Sequence, residues 1–262
     1  MSTDEHKLGL PIEYQKMPEY FDAHNINELT ETKNALIGQL LKEQKVETIL
    51  DMTCGTGSQV FYLTEHGYDV IGSDFSPALL EMARAKAKKL DRNITFIDGD
   101  MRTLQAGKFD AVISIFNAIG HLTKADFEKT LKNIQANLKD NGIYVFDILN
   151  LQAITDEIID DFIMDIEETI NGAKIHNVQY SEIDRNTGLL TSHDRYTIQK
   201  KGTEPEGYTN SFSLQLYTAK ELRAILDRNG FEIIAQYDMD GNQFVADKSS
   251  SILTVAKVKE AR

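Results

Sequence analysis

The sequence predicts a doubly wound α/β fold: a mostly parallel seven-stranded sheet with helices on both faces and an antiparallel β insertion before the last helix and two strands. Three observations predict it. Strand-like and helix-like segments alternate from Asn27 to Leu149, which calls for parallel pairing through helical crossovers. The first strand runs directly into a turn holding Gly55 and Gly57 and then into a helix. Lastly, β-like runs from Ile166 to Leu216, punctuated by turn residues, separate that alternation from a closing helix and two strands.

Taken in order, Leu29, Leu36, Ile37, Leu40 and Leu41 recur at helical spacing between Asn27 and Lys45. Val46–Asp51 then reads as a short buried strand. A helix runs from Gly57 to Glu65, His66-Gly67 stops it, and Asp69–Asp74 is the second strand. Ser76-Pro77 opens a helix through Leu90, proline being suited to the first helical turn. Asn93–Asp98 and Phe109–Phe116 are strands three and four, Lys124–Leu138 is a helix, and the turn Lys139–Gly142 leads into strand five, ending at Leu149. The pattern then changes. An acidic amphipathic helix over Ala153–Met164 precedes β runs broken at Asn171-Gly172, Asn186-Thr187-Gly188 and Gly202. Thr218 and Glu221 form a capping box for helix 219–229, Gly230 closes it, and strands 231–237 and 251–258 follow. The organisation expected is an N-terminal lid and helix (1–45), a ligand-binding core (46–150), a substrate-side insertion (151–216) and a segment completing the core sheet (217–262).

Composition narrows the function. A chain of 262 residues, 41% hydrophobic and 26% charged, can bury a sizeable core. Its formal charge of −13 repels polyanions, so no nucleic-acid partner is expected. Cys54 is the single cysteine, which excludes an intramolecular disulfide or thiolate cluster and suits a reducing cytoplasm. No apolar run approaches the roughly 18 residues of a membrane span, so no membrane partner is expected. His176 and His193 lack ligand-spaced partners, so no metal is expected, and Ser114 lacks the Gly-x-Ser-x-Gly context of a hydrolase nucleophile. The sequence does not fix the oligomeric state, and a homodimer is compatible with it.

The informative segment is Ile49-Leu50-Asp51-Met52-Thr53-Cys54-Gly55-Thr56-Gly57-Ser58. Glycines in such a turn let the backbone approach a ligand closely. A dinucleotide fingerprint would place a third glycine at position 60, where this chain has Val60. A carboxylate at the end of the second strand, Asp74, can accept bonds from both hydroxyls of a ribose.

Asp51–Gln59 resembles the first motif of the class I (Rossmann-like) S-adenosylmethionine-dependent methyltransferases. The resemblance implies that Asp51, Cys54, Gly55 and Gly57 lie under the methionine and ribose parts of S-adenosyl-L-methionine. It implies that Asp74 takes the ribose and Phe75 the adenine face. Asp100 would accept from the adenine amino group, and the Met101 N–H would serve a ring nitrogen. Ser114–Leu122, with Ile115 and His121, would face the transferred methyl. Phe116-x-x-x-Gly120-His121-Leu122 is similar to small-molecule enzymes that methylate amines of nucleotide-linked sugars or glycine-like compounds, and the Pro-Pro-aromatic signature of exocyclic-amine enzymes is absent. The expected acceptor is therefore a small molecule, an amine before a hydroxyl. His121 is the candidate general base, or a group that only orients the substrate. In related enzymes an aromatic N-terminal segment forms a lid, which makes Tyr14 and Tyr20 candidates for the cofactor's carboxylate. A nucleotide-dependent oxidoreductase and a catalytically silent cofactor-binding protein remain the alternatives.

Overall fold

The computed structural model describes residues 6–161 and 163–259. Its main sheet has seven strands in the order β10-β11-β5-β4-β1-β2-β3. These are β1 (Thr48–Asp51), β2 (Asp69–Asp74), β3 (Thr95–Asp98), β4 (Phe109–Ser114), β5 (Leu138–Leu149), β10 (Phe231–Tyr237) and β11 (Ser251–Val258). Strands β1 to β5 pair in parallel, while β11 runs antiparallel to both β5 and β10. Strand order reverses between β1 and β4, and ligands in open sheets of this kind bind outside the carboxyl ends at such a switch point.

Period-two alternation explains why both faces are filled. Ile49, Ala111, Ile113, Val145 and Leu253 point to one side, where α2 (Glu28–Glu43), α3 (Ser58–Glu65) and α4 (Pro77–Lys89) bring Leu41, Leu63 and Leu80. Leu50, Val112, Tyr144, Phe146 and Ile252 point to the other, against Phe127 and Leu131 of α5 (Lys124–Asn137) and Leu222 and Leu226 of α7 (Ala219–Arg228). The Thr218/Glu221 capping box forms as the sequence requires.

A second sheet, antiparallel and four-stranded, has the order β6-β7-β8-β9, with β6 (Met164–Ile170), β7 (Ala173–Asp184), β8 (Leu189–Gln199) and β9 (Glu206–Gln215). The N-terminal segment lies on this sheet: Ile12, Met17 and Tyr20 pack with Ile175, Tyr196 and Ile198, and the Ser213 N–H donates to the Leu8 carbonyl at 2.6 Å.

Three local expectations change. The helix expected over 153–164 is only α6 (Asp156–Asp161), because Met164 is already paired with Gln179 as the start of β6. The turn expected over Lys139–Gly142 lies within β5, as a bulge where the register steps from Phe109↔Leu138 to Ala111↔Ile143 and Asn141 takes φ 62°. Finally, Pro18 begins a helix, α1 (Pro18–Asn25), in the segment read only as a lid. Among the described residues no helix is long and apolar enough to cross a membrane.

Candidate active site

A cavity of about 1060 Å³, its open mouth included, lies at the carboxyl ends of β1 and β2. Of the residues singled out from the sequence, Tyr14, Asp51, Cys54, Gly55, Asp74, Phe75, Met101, Ile115 and His121 line it. Gly57, Asp100 and Tyr20 do not. Gly57 serves the turn itself: its φ is +91°, and a Cβ there would stand 2.8 Å from Phe61 Cε2 and 3.3 Å from Phe96 Cζ. Asp100 is turned to Arg102, whose Nε lies 2.9 and 3.0 Å from its two oxygens. Tyr20 is 3% exposed and belongs to the apolar cluster under the second sheet, so of the two N-terminal tyrosines singled out it is Tyr14 that reaches the cavity.

The floor is set by short-range bonds. Gly55, at φ +52°, donates its N–H to Asp74 Oδ2 at 2.8 Å, and the Ser76 N–H donates to Oδ1 at 2.9 Å. Each oxygen keeps acceptor capacity for a ligand hydroxyl. Asp51 accepts the Thr53 N–H at 3.1 Å. Burial pushes the Asp51 carboxyl up to about 7, with the Asp74 charge adding to it, and pushes Asp74 up to about 6 against the N–H groups that favour its charge. Among the described residues no lysine or arginine lines the cavity. Burial also raises the Cys54 thiol well above its ordinary range, so it stays protonated and is not a nucleophile.

The wall after β4 is strained. Phe116 and Asn117 are consecutive non-glycine residues at φ 62° and 59°, a conformation costing about 1–2 kcal/mol each. Asp147 Oδ2 accepts the Asn117 N–H and Asn117 Oδ1 accepts the Leu149 N–H, both at 3.0 Å, which holds the turn. The single helical turn that follows, Ala118–His121, carries His121 to the cavity. Its Nε2 is 3.4 Å from the Tyr14 hydroxyl, and its Nδ1 has no hydrogen-bond partner among the described residues. Burial lowers its pKa to about 4, so the imidazole is neutral at physiological pH.

Sequence reasoning missed several members. His6 lies against Phe75 with ring centroids 4.4 Å apart, and Phe21 and Leu79 also line the cavity. A histidine in a polar terminal stretch gives no signal, because its partner is about seventy positions away. The lid is pinned over the turns: Ser76 Oγ donates to the Tyr14 carbonyl and Thr56 Oγ1 to Asp22 Oδ1, both at 2.5 Å, and Lys86 pairs with Asp22.

Residues 49–142 match the family model described as a methyltransferase domain. The matched span holds the glycine turn and strands β2 to β4, the segment whose motifs resemble the class I S-adenosylmethionine-dependent methyltransferases. A glycine/sarcosine N-methyltransferase of Parasynechococcus marenigrum is 32% identical over 164 residues, 56% of this chain and 58% of that one. The match thus spans little more than half of that relative's length. The Mus musculus glycine N-methyltransferase is 26% identical over 226 residues, covering 76% of this chain and 74% of that relative. A sugar N-methyltransferase from Streptoalloteichus sp. shares the fold, with a TM-score of 0.76 at 19% identity, covering 99% of this chain and 97% of its own. The fit of the cavity to S-adenosylmethionine rests on its chemistry. Two buried carboxylates with no cationic residue on the lining suit a ligand carrying an ammonium and a sulfonium, and oppose a pyrophosphate. Among the described residues no group of three or more metal-ligating side chains occurs.

Proposed function

We propose that the protein transfers a methyl group from S-adenosylmethionine to the amine of a small molecule. The observation that carries this reading is that two buried carboxylates, Asp51 and Asp74, and His121 line one cavity at the carboxyl ends of the strands. When bound, S-adenosylmethionine supplies a sulfonium methyl that an amine displaces in line, leaving S-adenosylhomocysteine. Asp74 would hold the ribose hydroxyls, Phe75, with His6 packed against it, would offer the adenine a face with Met101 nearby, Gly55 would admit the ligand close to the backbone, and Asp51 would serve the cationic amino-acid end. The Tyr14 hydroxyl, 3.4 Å from His121 Nε2, would stand beside the acceptor nitrogen.

His121 is neutral, and an imidazole with pKa near 4 is a weak trap for an ammonium proton. Its role is to accept a hydrogen bond from an amine that arrives unprotonated and to aim the nitrogen lone pair. Alignment of this kind supplies up to roughly 7–11 kcal/mol of a barrier. The sheet β6–β9 walls the acceptor side, with Phe212 at 6.2 Å from the His121 ring. The net charge of −13 speaks against nucleic acid as acceptor, and the single buried thiol, Cys54, supports a reducing cytoplasm.

The test is calorimetric titration with S-adenosylhomocysteine, with NAD as control, followed by release of S-adenosylhomocysteine from S-adenosylmethionine in the presence of small amines. Saturable binding with no NAD binding, then amine-dependent turnover, is expected. NAD binding in its place overturns the reading, and cofactor binding without turnover on any amine makes the protein a silent binder.

A further inference from the structure

A second cavity, about 900 Å³ with its mouth included, adjoins the first, and Tyr14 and Asn25 line both. Its floor is one face of the antiparallel sheet. Register places Met164, Gln179, Asp194 and Asn210 in one cross-strand row, and Ile166, Asn177 and Tyr196 in the next. Along β8 the inward residues run Leu190, Ser192, Asp194, Tyr196, Ile198, apolar at the ends and polar in the middle. A sheet face that merely covered a lid would be apolar throughout.

The polar centre consists of acceptors. Glu13 reaches over from the N-terminal segment, where it accepts the Tyr196 hydroxyl at 2.9 Å, and Glu168 stands at the edge. Asp194 is 5% exposed, and its Oδ1 has no hydrogen-bond partner among the described residues; Asn177, 6% exposed, leaves its Oδ1 in the same state. The Gln179 and Asn210 amides and His193 ease the Asp194 charge, yet burial and nearby Glu13 still hold its carboxyl up at about 6. Among the described residues no lysine, arginine or histidine lines this cavity. A buried carboxylate and a buried amide oxygen, each short of a donor, cost stability unless a ligand supplies one.

We propose that this second cavity is an acceptor subsite for a second, positively charged nitrogen, held by Asp194, Glu13 and the Asn177 carbonyl oxygen. The substrate class is then a small diamine, one nitrogen at His121 to be methylated and the other, protonated, in the acidic cavity beyond Tyr14. Amino acids and phosphate-bearing sugars fit poorly, since their anionic groups would meet the Glu13, Glu168 and Asp194 carboxylates with no lysine or arginine among the described lining residues to neutralise them. This deepens the methyltransferase reading and rests on it for the role of the first nitrogen alone.

The experiment titrates straight-chain α,ω-diamines of three to six carbons into the full-length protein, calorimetrically, with and without saturating S-adenosylhomocysteine. Butylamine and 4-aminobutanoate are the comparisons. At least one diamine is expected to bind roughly tenfold or more tightly than butylamine, as a charge-assisted pair requires, with no measurable binding of aminobutanoate. Asp194→Asn and Glu13→Gln are each expected to remove most of that preference while S-adenosylhomocysteine binding persists. The two variants are read separately, so a folding failure in one leaves the other decisive. Equal binding of butylamine and every diamine, or a preference that survives both substitutions, overturns the proposal. Loss of S-adenosylhomocysteine binding by the wild type would overturn the cofactor reading instead, and diamine binding would still be read without it.

Discussion

Replacing Asp74 by asparagine separates the two things this carboxylate does. In the free protein its pKa, raised from 3.8 to about 6, means that keeping the charge at pH 8 costs about 3 kcal/mol at 1.36 kcal/mol per unit. Asparagine removes that cost. It also leaves one of the two N–H groups, Gly55 or Ser76, facing an amide NH₂, which costs about 1–3 kcal/mol. The opposing terms nearly cancel, so the variant's thermal midpoint at pH 8 is expected within a few degrees of wild type. Cofactor binding has no such compensation. Two charge-assisted bonds to the ribose become at most one neutral bond, a loss of about 2–3 kcal/mol, or roughly 30- to 150-fold in affinity. Titration with S-adenosylhomocysteine at pH 8 measures it. At pH 5, where the wild-type carboxyl is protonated, the gap should shrink severalfold. A folded Asp74→Asn protein that binds within about threefold of wild type at pH 8 would refute the reasoning.

Wild-type cofactor affinity is expected to rise as pH increases through about 6 to 7, because the ionised forms of Asp74, which accepts from the ribose, and Asp51 appear over that window, and binding should release protons, read from titrations in buffers of differing ionisation enthalpy. Without ligand the sign reverses: both carboxyls titrate above their ordinary 3.8, so their contribution to stability is complete below about pH 4 and lost as pH rises through 6 to 7, visible in urea unfolding at fixed pH. His121→Gln should lower kcat about tenfold, short of the 10²–10⁴-fold cost of losing a general base, and at saturating cofactor the wild-type kcat should show no limb from His121 near 6.5, since this imidazole titrates near 4. Gly57→Ala should destabilise the protein by about 2–5 kcal/mol, combining left-handed backbone with overpacking against Phe61 and Phe96. Gly67→Ala, at φ +89° but with no atom within 4 Å of the new Cβ, should cost only about 1–2 kcal/mol, and equal losses at the two sites would count against the packing argument.

The strands β1 to β5, the glycine turn, the capping box at Thr218 and the antiparallel insertion were legible in the chain because each is written in residues a few positions apart. Periodicity reports which face a side chain takes, and turn residues report where the backbone reverses. The same locality made the Asp51–Gly55 turn and the strand-end Asp74 readable as parts of one binding site. Where local preference and long-range pairing disagreed, pairing prevailed: Met164 sits in β6 opposite Gln179, although its own neighbourhood reads as helix.

By itself, then, the sequence determined the class of fold, the glycine turn at the end of the first strand and the loop that carries His121. Tertiary structure alone decided which lid tyrosine reaches the cavity, that Gly57 packs under Phe61 and Phe96 instead of lining it, that Asp100 is engaged by Arg102, and that Glu13 meets Tyr196 across 183 positions of chain. The physical reason is that these choices turn on which distant side chains share a buried space and on the desolvation each undergoes there, and neither has a signature in neighbouring residues.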